Sequence, residues 1–242
     1  MTSEASVDLS QNRILAGLPK QEREVLLPLL QNKALHLGEI ITEAGDPILM
    51  VYFPFDATIS MVNVPSQPSR TVDVALIGKE GCYGCSVVQG SHKSPAMFMV
   101  EIGGNGVEID ASKLIQKLPR LRCLRAALDR YNYLLTRLIV ISAGCSQFHS
   151  PPQRLARWIL SHYYRSGLTS LPFSKQFLAA QTGLDETILT DLLAEFGRYD
   201  LLRTGHNTVT ITHPEALAAR ACVCLNLAKE VTNEYLAGLN HT

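Results

Sequence analysis

Neither charge is in excess in this sequence: 22 Lys and Arg stand against 22 Asp and Glu over 242 residues. Neither half carries a large surplus: residues 1–121 hold 10 basic against 13 acidic side chains, and 122–242 hold 12 against 9. A chain that holds nucleic acid mainly through phosphates carries a positive surplus, so this balance argues against affinity built on bulk charge. No apolar run approaches the ~18–20 residues needed to cross a bilayer, although 46% of the residues are hydrophobic. The amino terminus has no basic stretch leading into an apolar one, so no signal peptide is expected. A cytoplasmic chain is the expectation, with the first ten residues as a loose tail. The six cysteines are scattered rather than paired, which argues against a disulfide framework. Signatures of catalysis are missing too. There is no Gly-rich phosphate loop, no serine nucleophile elbow and no His-x-x-x-His pair, so no enzyme activity is expected. His92, His149, His162, His206 and His213 show no ligand spacing, and His149 reads as a packing or capping residue.

What is present has room for two cores. Leu9 to Gln31 reads as short helices, with Pro19 placed to open one. From Leu35 to about Ile109 the texture is that of short strands. Glu39–Thr42, Met50–Phe53, Thr58–Val62 and Thr71–Ile77 are rich in β-branched or aromatic residues. Turn chemistry separates them at Gly45-Asp46-Pro47, at Pro65 to Ser69 and at Gly103-Gly104-Asn105-Gly106. Such spacing predicts an all-β sandwich or roll. Around Ala111 the period becomes helical. Leu124, Leu128, Tyr131, Leu135, Leu138, Ser142 and Cys145 follow at intervals of four and three, a seam of about three heptads. The narrow stripe is expected to pair with a second copy of the chain rather than with the chain's own core. Ser150 as N-cap and Pro151 at the first helical position then start a new helix and mark a boundary. Three regions are expected: 1–118, a central helix over 119–147, and 148–242.

The segment Ser174 to Phe196 fits a helix-turn-helix. Ala179 is small where two helices approach, Gly183 sits at the turn, and Leu178, Leu184, Leu189 and Leu192 pack the pair. Leu201-Leu202-Arg203, Gly205-His206-Asn207 and Thr208 to Ile211 make a β-hairpin wing. In such a module the start of the second helix meets base edges. Here those positions are Asp185, Glu186, Thr187, Thr190 and Asp191. Arg or Lys would read guanine and attract phosphate, whereas a carboxylate can only accept, for example from cytosine N4. Lys175, Gln176, Arg154, Arg157, Arg198 and Arg203 are the candidates for gripping phosphate or positioning the module. Carboxylates at a helix start also complement its dipole.

Taken in order, these parts resemble the Crp/Fnr family of bacterial transcription regulators over some 200 residues. The resemblance rests on Leu37 to Pro47, Val51-Tyr52-Phe53-Pro54, Gly78 to Gly84, Phe148-His149-Ser150 and Gln153 to Trp158. Cys222-Val223-Cys224 resembles a Cys-x-Cys of one proteobacterial branch. The resemblance implies an α+β fold: an N-terminal β-roll like a cyclic-nucleotide-binding jelly roll, a long dimerisation helix and a C-terminal winged helix-turn-helix. It implies a DNA-binding homodimer in which an effector in the roll re-spaces the two recognition helices. Nucleotide-binding members use a Glu for the ribose and an Arg-Ser pair for the cyclic phosphate. Near those places stand Gly84, Cys85 and Ser86, then Lys93 and Ser94, and Lys93 lacks the bidentate fork of Arg. Control by cyclic AMP is therefore not expected. No cysteine precedes Cys82, so the amino-terminal iron–sulfur cluster of oxygen-sensing members is not expected either.

Two expectations concern partners and thiols. The acidic second helix suits either DNA or, as the alternative, a protein partner or a DNA-binding relative captured as a heterodimer. Cys82 and Cys85 form a Cys-x-x-Cys away from a helix start and read as buried thiols. With Cys222 and Cys224 they would make up a zinc count, but they lie far apart in sequence. Cys145 near the seam could in principle face its symmetry mate. No cofactor and no metal is expected, and the residues specify no effector.

Overall fold

The structure, a computed structural model, describes residues 7–63 and 71–239. The expected turn from Pro65 to Ser69 falls outside the described residues. Of the expected loose tail, the described residues from 8 onward are ordered. Asp8 caps a 3-10 turn over Leu9–Gln11, and Leu9 is buried. Asn12 then opens α1 (Arg13–Ala16) by accepting from the backbone N–H groups of Ile14 and Leu15. Fully buried, it also donates to the carbonyls of Pro54 and Gly81 at 3.0 and 2.9 Å. Pro19 precedes α2 (Lys20–Leu26) in extended geometry.

Seven strands follow: β1 (Gln31–Leu35), β2 (Ile40–Thr42), β3 (Met50–Pro54), β4 (Thr58–Asn63), β5 (Val72–Ile77), β6 (Met97–Ile102) and β7 (Gly104–Asp110). One sheet has the order β1-β7-β3 and another β2-β6-β4-β5. β7 runs antiparallel to both neighbours, with Lys33 opposite Gly106 on one side and Phe53 opposite Val107 on the other. The glycine-rich turn expected at 103–106 is thereby corrected. Gly104, Asn105 and Gly106 are strand residues, and a Cβ on Gly106 would lie 2.6 Å from the Phe53 carbonyl oxygen. Close backbone approach, not a turn, explains that glycine.

Helices take over where the sequence period changes. Asp110 caps α3 (Ala111–Lys117), accepting from Lys113 N–H at 3.0 Å. The long α4 spans Arg122–Phe148. Its start is capped from outside: buried Glu22 accepts from the backbone N–H groups of Cys123 and Leu124 at 2.8 and 2.9 Å. Pro151 opens α5 (Pro151–Ser166) as expected, and Ser150 and Gln153 form a capping box at its start.

The chain divides into two compact units, one of 1–59, 77–136 and 232–242, the other of 60–76 and 137–231. In the first, Tyr131 is fully buried beside Tyr235, with ring centroids 5.7 Å apart. A Cβ on Gly81 would come within 1.9 Å of the Tyr131 ring, so the ring lies directly on that backbone. In the second, Trp158, His162, Phe173 and Phe177 stack into an aromatic core, and His162 is fully buried.

The expected pairing seam is corrected by these burials. Leu124, Leu128, Tyr131, Leu138, Ser142 and Cys145 are all buried within a single chain, and Leu135 is half-buried. An a/d stripe records that one face of a helix is covered without saying by what. The opposite face of α4 is the open one, carrying Tyr133 and Val140 at 67% and 66% exposure.

Candidate nucleic-acid interface

The second unit contains the helix-turn-helix. Ser174 caps α6 (Lys175–Thr182), its hydroxyl accepting from Phe177 N–H at 3.1 Å. Gly183 ends that helix in the left-handed region at φ +63°, which a side chain would strain. Asp185 caps α7 (Glu186–Arg198). Leu178, Leu184, Leu189 and Leu192 are buried as the pattern requires, and Ala179 is buried with them. A wing follows, β9 (Leu202–Thr204) against β10 (Val209–Ile211), with Arg203 opposite Thr210. The sequence did not signal the third strand of this sheet, β8 (Ser170–Leu171), which pairs with β10 on its other side. Two residues are too few for a period to register. α8 (Pro214–Ala218) and α9 (Cys224–Leu239) complete the chain.

The outer face of α7 is acidic. Asp185, Glu186, Thr187, Thr190 and Asp191 are all exposed, and exposed Ile188 lies among them. Asp185 accepts from Thr187 N–H at 2.8 Å, and that backbone bond holds its carboxyl below the usual carboxylate range. Its charge is therefore secure at neutral pH. Exposed basic residues in the helix pair and wing are few. Lys175, Arg198 and Arg203 are exposed, as is the neutral Gln176, and Arg203 lies 3.5 Å from Asp200. Arg154 and Arg157 are only half-exposed, and Arg154 donates to the Ser146 carbonyl at 3.3 Å. Over 148–242 eight basic residues meet eight acidic ones. The surface can accept hydrogen bonds at base edges, but its long-range pull on a polyanion is weak.

The residues expected to line an effector pocket are turned to structural tasks. Gly84 is buried at φ +80°, where a Cβ would sit 2.9 Å from the Met50 carbonyl oxygen. The Cys85 thiol donates to Asn132 Oδ1 at 2.8 Å, and the Ser94 hydroxyl donates to the Ala96 carbonyl at 2.7 Å. Ser86 is half-buried and Lys93 is exposed. Burial pushes the Cys82 thiol well up, so it does not behave as a reactive thiolate, and Cys85 of the same Cys-x-x-Cys is buried as well.

A second cluster was not legible as one. Cys145 at the end of α4, His149 just beyond it, Cys222, and Cys224 at the start of α9 bring their side chains together. The Cys145 thiol is pulled down to about 5 by the hydrogen bond from Cys222, with the Arg157 guanidinium helping, and Cys222 is raised by the same bond. Cys145 and His149 are four residues apart, one helical turn, so ligand spacing was present in the sequence. It went unread because it joins a cysteine to a histidine across a helix end.

Residues 153–220 match the Crp-like helix-turn-helix domain family. No curated protein matches the chain. Solved structures do. A Crp/Fnr-family transcriptional regulator from Eubacterium rectale superposes with a TM-score of 0.66 at 13% identity, covering 87% of this chain and 98% of that one. FixK2 from Bradyrhizobium japonicum gives 0.67 at 13%, over 80% and 98%. CLP, the c-di-GMP-responsive global regulator of Xanthomonas campestris, gives 0.63 at 16%, over 78% and 97%. At such identities the likeness is one of fold.

Proposed function

We propose that this chain, a Crp/Fnr-type regulator by its helix-turn-helix domain and its fold, acts as a homodimer that reads DNA through an acidic recognition helix. One observation carries the reading: a Crp-like module presents Asp185, Glu186, Thr187, Thr190 and Asp191 together on the exposed start of α7. Carboxylates there cost affinity for any sequence and return some of it only where a base edge donates, as cytosine N4 does. The acidic helix is then a specificity device that suppresses binding to random DNA. Lys175, Arg198 and Arg203 hold phosphates, and Gln176 supports the register.

The second copy docks on the open face of α4, where Tyr133, Thr136, Val140 and Ala143 repeat at helical intervals and are exposed. Control is independent of cyclic AMP. Lys93 offers a point charge where a bidentate fork is needed, and Cys85 and Ser94 are already bonded within the chain.

A pull-down of fragmented genomic DNA at low and moderate salt tests the reading. Fragments sharing a two-fold symmetric site are expected. Asp185→Asn, Glu186→Gln and Asp191→Asn together should raise affinity for random DNA and blur the site. Tyr133→Glu with Val140→Glu should give a folded monomer in sedimentation; an unchanged dimer would move the interface elsewhere. The exposed Ile188 amid the carboxylates favours a second reading, in which α7 binds a protein or a related subunit. A folded dimer enriching no DNA at either salt, and losing a captured partner in the triple variant, would replace the first reading with that one.

A further inference from the structure

The side-chain cluster at the end of α4 has the chemistry of a closed metal centre. The Cys145 and Cys222 sulfurs are 3.4 Å apart, and Cys224 Sγ lies 3.5 Å from His149 Nδ1. All four potential ligand atoms fall within 4.8 Å of one another. In a tetrahedral zinc site with bonds of about 2.3 Å to sulfur and 2.0–2.1 Å to nitrogen, ligand atoms stand roughly 3.5–3.8 Å apart. The three cysteines are 0%, 4% and 5% exposed, and His149 is half-buried. We infer that Cys145, His149, Cys222 and Cys224 bind one zinc ion in a structural site.

Three features separate this from a chance gathering of thiols. The ligands come from two elements distant in sequence, Cys145 and His149 from one turn of helix and Cys222 and Cys224 from the turn that opens α9. Leu225 N–H donates to the Cys222 carbonyl there, and Val223 between the two thiols is 58% exposed. Cys-x-Cys thus sends both sulfurs to one point and the intervening side chain outward. Second, the charge is compensated. Three thiols that surrender their protons to the solvent as zinc enters would carry −3 by themselves, and the ion reduces this to a net charge of −1. Third, four protein ligands leave no open position, the pattern of a structural rather than a catalytic zinc. Such an ion would fasten the end of the long helix to the start of the last one. It would do so at the step into α5 and the DNA-reading module, whatever that module binds.

The test uses the full chain without a histidine tag, purified in reductant, stripped with chelator and reloaded with zinc chloride alone. Stoichiometric zinc by elemental analysis is expected, with three thiols shielded from alkylation. Cys145→Ser, Cys222→Ser and Cys224→Ser should each weaken zinc binding at least roughly tenfold, while Cys82→Ser, Cys85→Ser and Cys123→Ser leave it intact. Cobalt(II) in place of zinc should show the intense visible bands of a tetrahedral thiolate site. His149→Cys should keep the metal and shift those bands to an all-sulfur pattern, a result that a packing histidine would not give. Folded chain that takes up no zinc, or a cobalt spectrum without thiolate character, would overturn the site. So would a Cys145–Cys222 disulfide mapped in reducing buffer. None of these outcomes depends on whether DNA is bound.

Discussion

His162 shows how a residue without a functional signature governs behaviour. It is fully buried, its Nδ1 is 3.0 Å from the Trp158 carbonyl, and its ring lies 3.9 Å from that of Trp158. Burial pushes its pKa from 6.5 down to about 4, Asp73 opposes that, and Arg165 and Arg157 add to it. The folded protein therefore keeps the ring neutral where the unfolded chain would take up a proton. The contribution of His162 to stability is complete above pH 6.5 and is lost as pH falls from there towards about 4. A shift of that size corresponds to at most about 3 kcal/mol. His162→Phe should flatten the fall of the urea midpoint across that window, even if it is less stable at neutral pH. An equally steep fall in the variant would assign the acid sensitivity to other groups. The sequence places His162 on an Arg-containing helix, but the aromatic cage that desolvates it comes from Phe173 beyond the next loop, so no local pattern announces it.

At the scale of elements, the sequence is most informative where a covered face needs a period. Four strands stand where alternation and β-branching place them, and α4 begins and ends close to the span its heptads outline. What covers a face is another matter, as Tyr131 against Gly81 makes plain: the same stripe serves a partner or a core. Caps from a distance are equally invisible. Glu22 lies a hundred residues before the N–H groups it accepts from at Cys123 and Leu124. Removing it leaves two donors unpartnered and takes a negative charge from the positive end of a long helix dipole. Glu22→Ala should cost about 2–3 kcal/mol in urea unfolding. Glu22→Gln should recover part of that, because one side-chain oxygen still accepts. Equal losses in both would mean that charge, not hydrogen bonding, is what Glu22 supplies.

For the whole molecule the decisive quantity is the balance of charge around the helix-turn-helix. The helix pair, its turn glycine and its wing could be read from spacing alone, because each is a local device. The acidic face of α7 could be read as well, since a helix start exposes whatever residues occupy it. Which arginines remain free could not be read, because that depends on tertiary contacts such as Arg154 with the Ser146 carbonyl. With Arg154 and Arg157 drawn partly inward, Lys175, Arg198 and Arg203 are the exposed cations of the module closest in sequence to its reading helix. Each phosphate they neutralise contributes about −0.9 to the slope of log affinity against log salt, so three per module should give roughly −3, and a dimer on a two-fold site roughly −5 to −6. Binding of the selected site measured over a salt series checks this. Lys175→Ala should make the slope shallower by about one unit per module while leaving the preferred sequence unchanged. A much steeper slope would mean that cations elsewhere on the chain reach the backbone, and that the neutral overall charge conceals a basic surface not formed by these three residues.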